Sequence, residues 1–218
     1  VERGPVNMVP QSIGYDEAAL AEPLGCVVNG FEFAHMEEGK TVLIIGSGPI
    51  GCMMINIARI LGASNIVVVE KVEQRLTMAR SLGADEYLHT NGQFLDNVMA
   101  LTNNRGYDVV MSATNALEAH DQAIRAVAKG GFVNLFGGVA KGLPDTVSFS
   151  SNFVHYRQFS IGGSFSQTKE HHKKALDYLA AGEINTKKLI THRFKLDDIQ
   201  RAFDVVQSLE GLKVIVNP

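Results

Sequence analysis

The sequence predicts an α/β fold, a parallel sheet wound on both faces by helices. Two observations carry that expectation. From about residue 41 to 138, short β-branched apolar runs alternate with segments of helical spacing. The runs TVLIIG (41–46) and NIVVVE (65–70) are also apolar throughout rather than alternating, as strands covered on both faces are. Right-handed crossovers are the expected connections.

The elements follow in order. Residues 15–36 carry spaced apolar positions among small side chains and read as a helix entered through Pro10, Ser12 and Asp16. The turn EEGK leads into a strand at 41–46. Residues 49–63 place Ile50, Met53, Met54, Ile57, Ile60 and Leu61 on one helical face. A strand at 65–70 precedes a helix at 72–83 stopped by Gly83. Strands are expected at 86–89 and 107–114, with a helix at 93–102 between them. From 117 the pattern is helical until Gly130 and Gly131 end it, and a strand is expected at 131–138. Residues 158–165 read as the final, edge strand, apolar at Phe159, Ile161 and Phe165 and uncharged. No internal repeat or low-complexity segment interrupts the pattern.

Composition narrows the class. With 218 residues and 45% hydrophobic content, the chain can bury a full core in one large domain or two small ones. A formal charge of -3 and the lack of a long basic run leave no electrostatic footprint for nucleic acid. The densest basic patch, HHKK at 171–174, reads as a solvated helix face. Gly, Glu, Lys or Arg breaks every apolar stretch before membrane-spanning length, and no signal-peptide pattern opens the chain. Cys26 and Cys52 each sit in an apolar segment; two buried thiols without a disulfide framework suit a reducing cytoplasm. The opening VERGPVNMVP has no initiating Met, which is expected if more chain precedes it.

The turn after the first strand carries the chemistry. Gly46-Ser47-Gly48-Pro49-Ile50-Gly51 is a G-x-G-x-x-G, weak alone but here set between a strand and a helix. Gly46 suits a tight turn, Gly48 lets backbone approach a pyrophosphate, and Gly51 lets the helix pack close to the strand. The helix N-terminus offers free N–H groups to phosphates. Glu70 follows about 20 residues on, at the end of the next strand, where an acid accepts from both ribose hydroxyls and repels a 2′-phosphate. The expected ligand is therefore NAD in a Rossmann domain, although Lys71 and Arg75 are of the type that serves a 2′-phosphate. S-adenosylmethionine is the rival ligand, and the opening Pro49-Ile50-Gly51 of the helix speaks against it.

One carboxylate stands apart. Glu22, followed by Pro23, interrupts the apolar run LAEPLGC and must be exposed, paired or bound to metal.

The stretches EPLGCVVNG, GKTVLIIGSGPIG, RLTMARSLGADEYL, LITHRFKLDDIQRAFD and GLKVIV, in that order, resemble the zinc-dependent medium-chain dehydrogenases. The sorbitol, threonine and related polyol enzymes are the nearest in look. The resemblance runs over essentially the whole chain. It implies a Rossmann cofactor domain at 25–165, a lead-in at 1–24 that ends the catalytic-domain portion, and a segment at 166–218 that returns to a GroES-like catalytic domain otherwise missing. It implies NAD and zinc as cofactors: zinc polarises a secondary alcohol or polyol, and hydride passes to NAD. Arg75 joins the cofactor contacts. Ala113 and Thr114 in SATN (112–115) would lie beside the adenosine-to-nicotinamide path. Phe136, Gly137, Ser164 and Phe165 would offer backbone groups to the carboxamide. Glu22 would stand at the catalytic zinc, as a ligand or one step removed. A homodimer through 158–165 is implied too, and a homotetramer once the catalytic domain is present.

The departures matter equally. The zinc-binding Cys, the His-Glu pair and the proton relay of that family lie in a preceding stretch, and two cysteines cannot build its four-cysteine zinc lobe. The chain is thus expected to be the cofactor part of a dehydrogenase, inactive by itself; a noncatalytic dinucleotide-binding or sensor module is the alternative. Ser166 stands where the sorbitol enzymes carry an Arg, which puts sorbitol itself in doubt. His35, His155, His171, His172 and His192 have no suitably spaced partners and are expected to be structural.

Overall fold

The computed structural model describes residues 6–90 and 92–218; the first five residues of the lead-in and Asn91 lie outside it. In chain order the elements are α1 (Tyr15–Ala18), α2 (Ala21–Phe33), β1 (Thr41–Ile45), α3 (Pro49–Ile60), β2 (Asn65–Glu70) and α4 (Glu73–Ala79). β3 (Glu86–His89), α5 (Phe94–Ala100), β4 (Tyr107–Ser112), α6 (Leu117–Ala126), β5 (Val127–Asn134), α7 (Ser151–Arg157) and β6 (Ser160–Gly162) follow. The chain ends with α8 (Lys169–Ala180), α9 (Thr186–Leu189), β7 (Ile190–Lys195), α10 (Ile199–Gln207) and β8 (Lys213–Asn217). Six parallel strands form one sheet in the order β3-β2-β1-β4-β5-β6, and β7 pairs with β8 in a second, parallel pair.

Strand periodicity explains the two faces. In β1, Val42 and Ile44 face one core while Leu43 and Ile45 face the other, and β2 divides Ile66 and Val68 from Val67 and Val69 in the same way. The first core is closed by α2, α3, α4 and α8. The second is closed by α5 and α6, with Phe159 completing it. A continuously apolar strand is what this arrangement requires, so both runs are explained. The first core does not stop at residue 166. Leu176 and Leu179 of α8, with Ile184, Leu189, Ile190, Leu212 and Ile215, belong to it.

Four expected elements are corrected. The helix over 15–36 is two helices: Pro23 has no N–H to give the Ala19 carbonyl, so it stands in the first turn of a new helix, where that bond is not needed. The helix from 117 ends at Ala126, and the strand begins at Val127 instead of 131. Val127 and Ala128 are buried against β4, while Lys129 and Gly130 bulge outward, Gly130 at φ 75°. Residues 135–138 leave the sheet. The edge strand is confined to Ser160–Gly162, pairing with β5 only; Phe165 is not in it and stands 95% exposed.

If α8 is part of the first core, Leu176→Ala lowers unfolding free energy by about 2–5 kcal/mol in a single cooperative transition. Phe203→Ala on α10, 55% exposed, should change it by no more than about 0.5 kcal/mol. Chemical denaturation followed by circular dichroism checks both.

Candidate functional site

The sheet reverses its winding between β1 and β4, and a crevice of about 510 Å³ opens there at the carboxyl ends of the strands. It gathers most of the expected residues: Gly46, Gly48, Pro49, Ile50, Glu70, Arg75, Ala113 and Thr114.

The glycine-rich turn is built as its sequence demands. Gly46 has φ 101° and accepts no side chain easily, since a Cβ would meet the Ala113 carbonyl at 3.1 Å. A Cβ on Gly51 would lie 1.9 Å from the Gly46 carbonyl oxygen, so only glycine lets α3 pack this close to β1. The first intrahelical bond of α3 runs from the Cys52 N–H to Gly48 O, so the Ile50 and Gly51 amides precede it and point out of the helix start. Cys52 donates its thiol to Ser47 O at 3.2 Å; burial and the nearby Glu70 charge push that thiol up to about 12.

Glu70 has a larger task than the sequence suggests. It is buried at 8% exposure. One carboxylate oxygen accepts from the Ser47 N–H at 2.8 Å and Ser47 Oγ at 3.2 Å, and the other from the N–H groups of Lys71 (2.8 Å) and Val72 (3.0 Å). All four lone-pair directions are engaged within the protein. Any further donor that approached Glu70 would have to replace or share the longest of these, the Ser47 hydroxyl. Arg75 lies against the turn, its guanidinium nitrogen Nη1 3.7 Å from where a Gly48 Cβ would be, and its buried Nε has no hydrogen-bond partner among the described residues. Lys71 is paired with Glu118 at 2.7 Å across the mouth of the crevice.

Other parts of the crevice were not legible in the motif. Phe94 and Ala119 line its apolar side and Thr90 and Gln122 add polar groups, all from segments that only the fold brings together.

The remaining expected residues lie outside this crevice. A Cβ on Gly137 would fall 2.1 Å from the Thr114 carbonyl oxygen, and its N–H already donates to Ser112 O at 2.9 Å. The Ser164 N–H donates to the buried Asn134 side chain at 3.2 Å. Phe136 packs against Gly30, and Phe165 faces solvent. So two of the amide donors expected at a carboxamide are already committed within the chain.

Glu22 is exposed in the first turn of α2 and accepts a weak thiol contact from Cys26 at 3.7 Å. Among the described residues no three His, Cys, Asp or Glu side chains gather to hold a metal. Glu22 and Cys26 do not by themselves fit a zinc. His171 caps α8 with Thr168 and meets Glu32, and His192 stacks on Phe194. No helix among the described residues is long and apolar enough to cross a membrane.

Strand order, winding and glycine turn together define a Rossmann-type α/β unit. Residues 49–181 match the family profile "Zinc-binding dehydrogenase", and the chain belongs to that family. It is 30% identical to sorbitol dehydrogenase of Bacillus subtilis (strain 168), over 98% of this chain and 60% of that protein. It is 31% identical to D-arabitol-phosphate dehydrogenase of Enterococcus avium, over 97% and 60%. Among solved structures, a candidate zinc-binding dehydrogenase from Sinorhizobium meliloti 1021 bound to NADP superimposes with a TM-score of 0.84 at 27% identity, over 96% of this chain and 61% of that one. The chain spans about three fifths of the length of these relatives.

Cys26 supplies a test of the α2 geometry. Burial first, then the charge and hydrogen bond of Glu22, push its thiol up to about 11. At pH 8 only about one thiol in a thousand is then thiolate, the form that reacts. Iodoacetamide should label Cys26 slowly at pH 8 and faster as pH rises toward 11. Glu22→Gln should speed labelling at pH 8, since it removes the repelling charge; mass spectrometry of the labelled peptides reads the result.

Proposed function

We propose that this chain is the cofactor-binding part of an NAD-dependent, zinc-containing polyol or secondary-alcohol dehydrogenase. The observation that carries the reading is the glycine-rich turn at the winding reversal, pinned by Glu70 and faced by an Arg75 guanidinium with an unpartnered Nε. Unpaired amides at a helix start and a buried guanidinium nitrogen without a partner suit a pyrophosphate. The sugar-alcohol substrates in the names of the Bacillus and Enterococcus relatives support the substrate class.

NAD, when bound, accepts a hydride at its nicotinamide ring. The chain's own residues bind and orient it. Gly46 and Gly48 let backbone approach the diphosphate, Glu70 faces the adenosine ribose, and Phe94 with Ala119 gives the adenine an apolar wall. Ala113 and Thr114 flank the path on which the dinucleotide crosses from β2 toward β5. Phe136, Gly137, Ser164 and Phe165 border the nicotinamide end. NAD is preferred to NADP because a 2′-phosphate would meet the Glu70 carboxylate, while Lys71 is held by Glu118. In the whole protein, Glu22 faces a zinc whose other ligands come from beyond this chain. Two free cysteines, one buried and one half-buried, suit a cytoplasmic setting.

A homodimer forms about β6. The Leu135 N–H donates to Gly162 O at 2.8 Å. Successive residues turn their peptide groups to opposite sides of a strand, so Ile161 presents its own to the free edge. An isologous pairing of two such edges would continue the sheet.

Fluorescence titration tests the cofactor reading: NADH binds and NADPH binds more weakly, and tighter NADPH binding overturns the NAD assignment. Glu70→Gln sets an amide N–H against backbone donors. It should weaken NADH about tenfold and lower stability by about 1–3 kcal/mol. Light scattering at micromolar concentration should give a dimer for the unaltered chain and a monomer for Ile161→Pro; a monomeric unaltered chain refutes the dimer.

A further inference from the structure

We propose that His120 is a positioning residue, locking the end of β4 to the turn after β5, beside the crevice, on which the nicotinamide half of a dinucleotide would rest. This rests on the dinucleotide reading above. His120 sits on α6 at 4% exposure, and among the described residues its side-chain hydrogen bond runs to Ser112 and not to the glycine-rich turn. Its Nδ1 is 2.9 Å from the hydroxyl of Ser112, the last residue of β4, which is fully buried. The Ser112 carbonyl in turn accepts from the Gly137 N–H at 2.9 Å. One ring thus connects α6, the end of β4 and the turn after β5.

The connection is not redundant on the side that matters. The end of β4 is held independently to β1, by the Ala113 N–H on Ile45 O at 2.8 Å and by the close pass of Gly46. The Gly137 turn is held by its amide on Ser112 and by the contact that excludes any Cβ beside Thr114. Residues 135–138 follow the end of β5, and a single ladder-type bond, from the Leu135 N–H to Gly162 O at 2.8 Å, holds their start. Loss of the ring leaves β4 in place and takes from that turn the hydrogen bond between His120 and the Gly137 backbone, so it is held less tightly.

The chemistry suits a neutral clamp. A ring that is neutral has one donor and one acceptor nitrogen, and a serine hydroxyl can serve either. Burial lowers the proton affinity of His120, with hydrogen bonding to the Gly137 backbone opposing it. A leucine would fill the same volume, so packing alone does not call for a polar ring in this place.

The crevice divides the effect. Glu70 and the Gly46–Gly51 turn take the adenosine and diphosphate, so the other half of a dinucleotide runs over β4 and β5 toward Gly137. NADH therefore depends on the clamp and AMP does not. Calorimetric titration of the chain, of His120→Leu and of His120→Asn with NADH and with AMP separates the roles. His120→Leu should weaken NADH about tenfold and leave AMP within about twofold. His120→Asn, whose amide reaches where Nδ1 stands, should restore NADH to within about threefold of the unaltered chain. Ser112→Ala attacks the same bond from the other side and should reproduce the leucine pattern, which keeps the test open if His120→Leu fails to fold. Equal loss of NADH and AMP, or no loss of either, overturns the positioning role while leaving the cofactor reading intact. An unaltered chain that binds AMP but not NADH, or neither, overturns the cofactor reading and this role with it.

Discussion

Four donors meet on the carboxylate of Glu70, and the geometry of the crevice depends on that meeting. A buried carboxylate is costly unless its oxygens are hydrogen-bonded, and here two come from the glycine-rich turn and two from the chain just beyond β2. The bond to the Ser47 N–H also satisfies an amide that is itself fully buried. The turn is therefore held open toward the crevice by a side chain from the neighbouring strand. Cys52 completes the restraint from below by donating to Ser47 O. A residue that first reads as a ligand contact is equally a strut.

Close backbone approach is the second constraint. Gly51 against the Gly46 carbonyl, Gly46 against Ala113, and Gly137 against Thr114 are three places where a methyl group would collide with main chain. They lie along the line where β1, β4 and β5 end, and they bring three turns into contact around one crevice. Such contact leaves few free amides: those of Ser47, Gly137 and Ser164 are all used within the chain. What a ligand can find is the start of α3, the Arg75 guanidinium and the apolar wall from α5 and α6.

The C-terminal segment has two characters. α8 and the inner residues of β7 and β8 belong to the first core, whereas Leu196, Ile199, Phe203 and Val206 around α10 stay exposed. The same segment thus anchors the sheet on one side and presents apolar surface on the other.

The alternation of continuous apolar runs with helical spacing determined the doubly wound fold, because a strand covered on both faces must be apolar at every position, as β1 and β2 are. The G-x-G-x-x-G between β1 and α3 determined where the crevice opens, because backbone proximity there tolerates no side chain. Tertiary structure alone decided the rest. Helix α6 stops at Ala126 since Val127 gains more by pairing with Tyr107 than by extending a helix, and no local signal marks that competition. Thr90, Phe94, Ala119 and Gln122 reach the crevice from separate segments, and the saturation of Glu70 and the Ser112–His120 pair arise between residues whose sequence patterns are independent. Hydrogen bonds between side chains and distant backbone leave no period in a sequence; they exist only once the sheet has set the strand ends side by side.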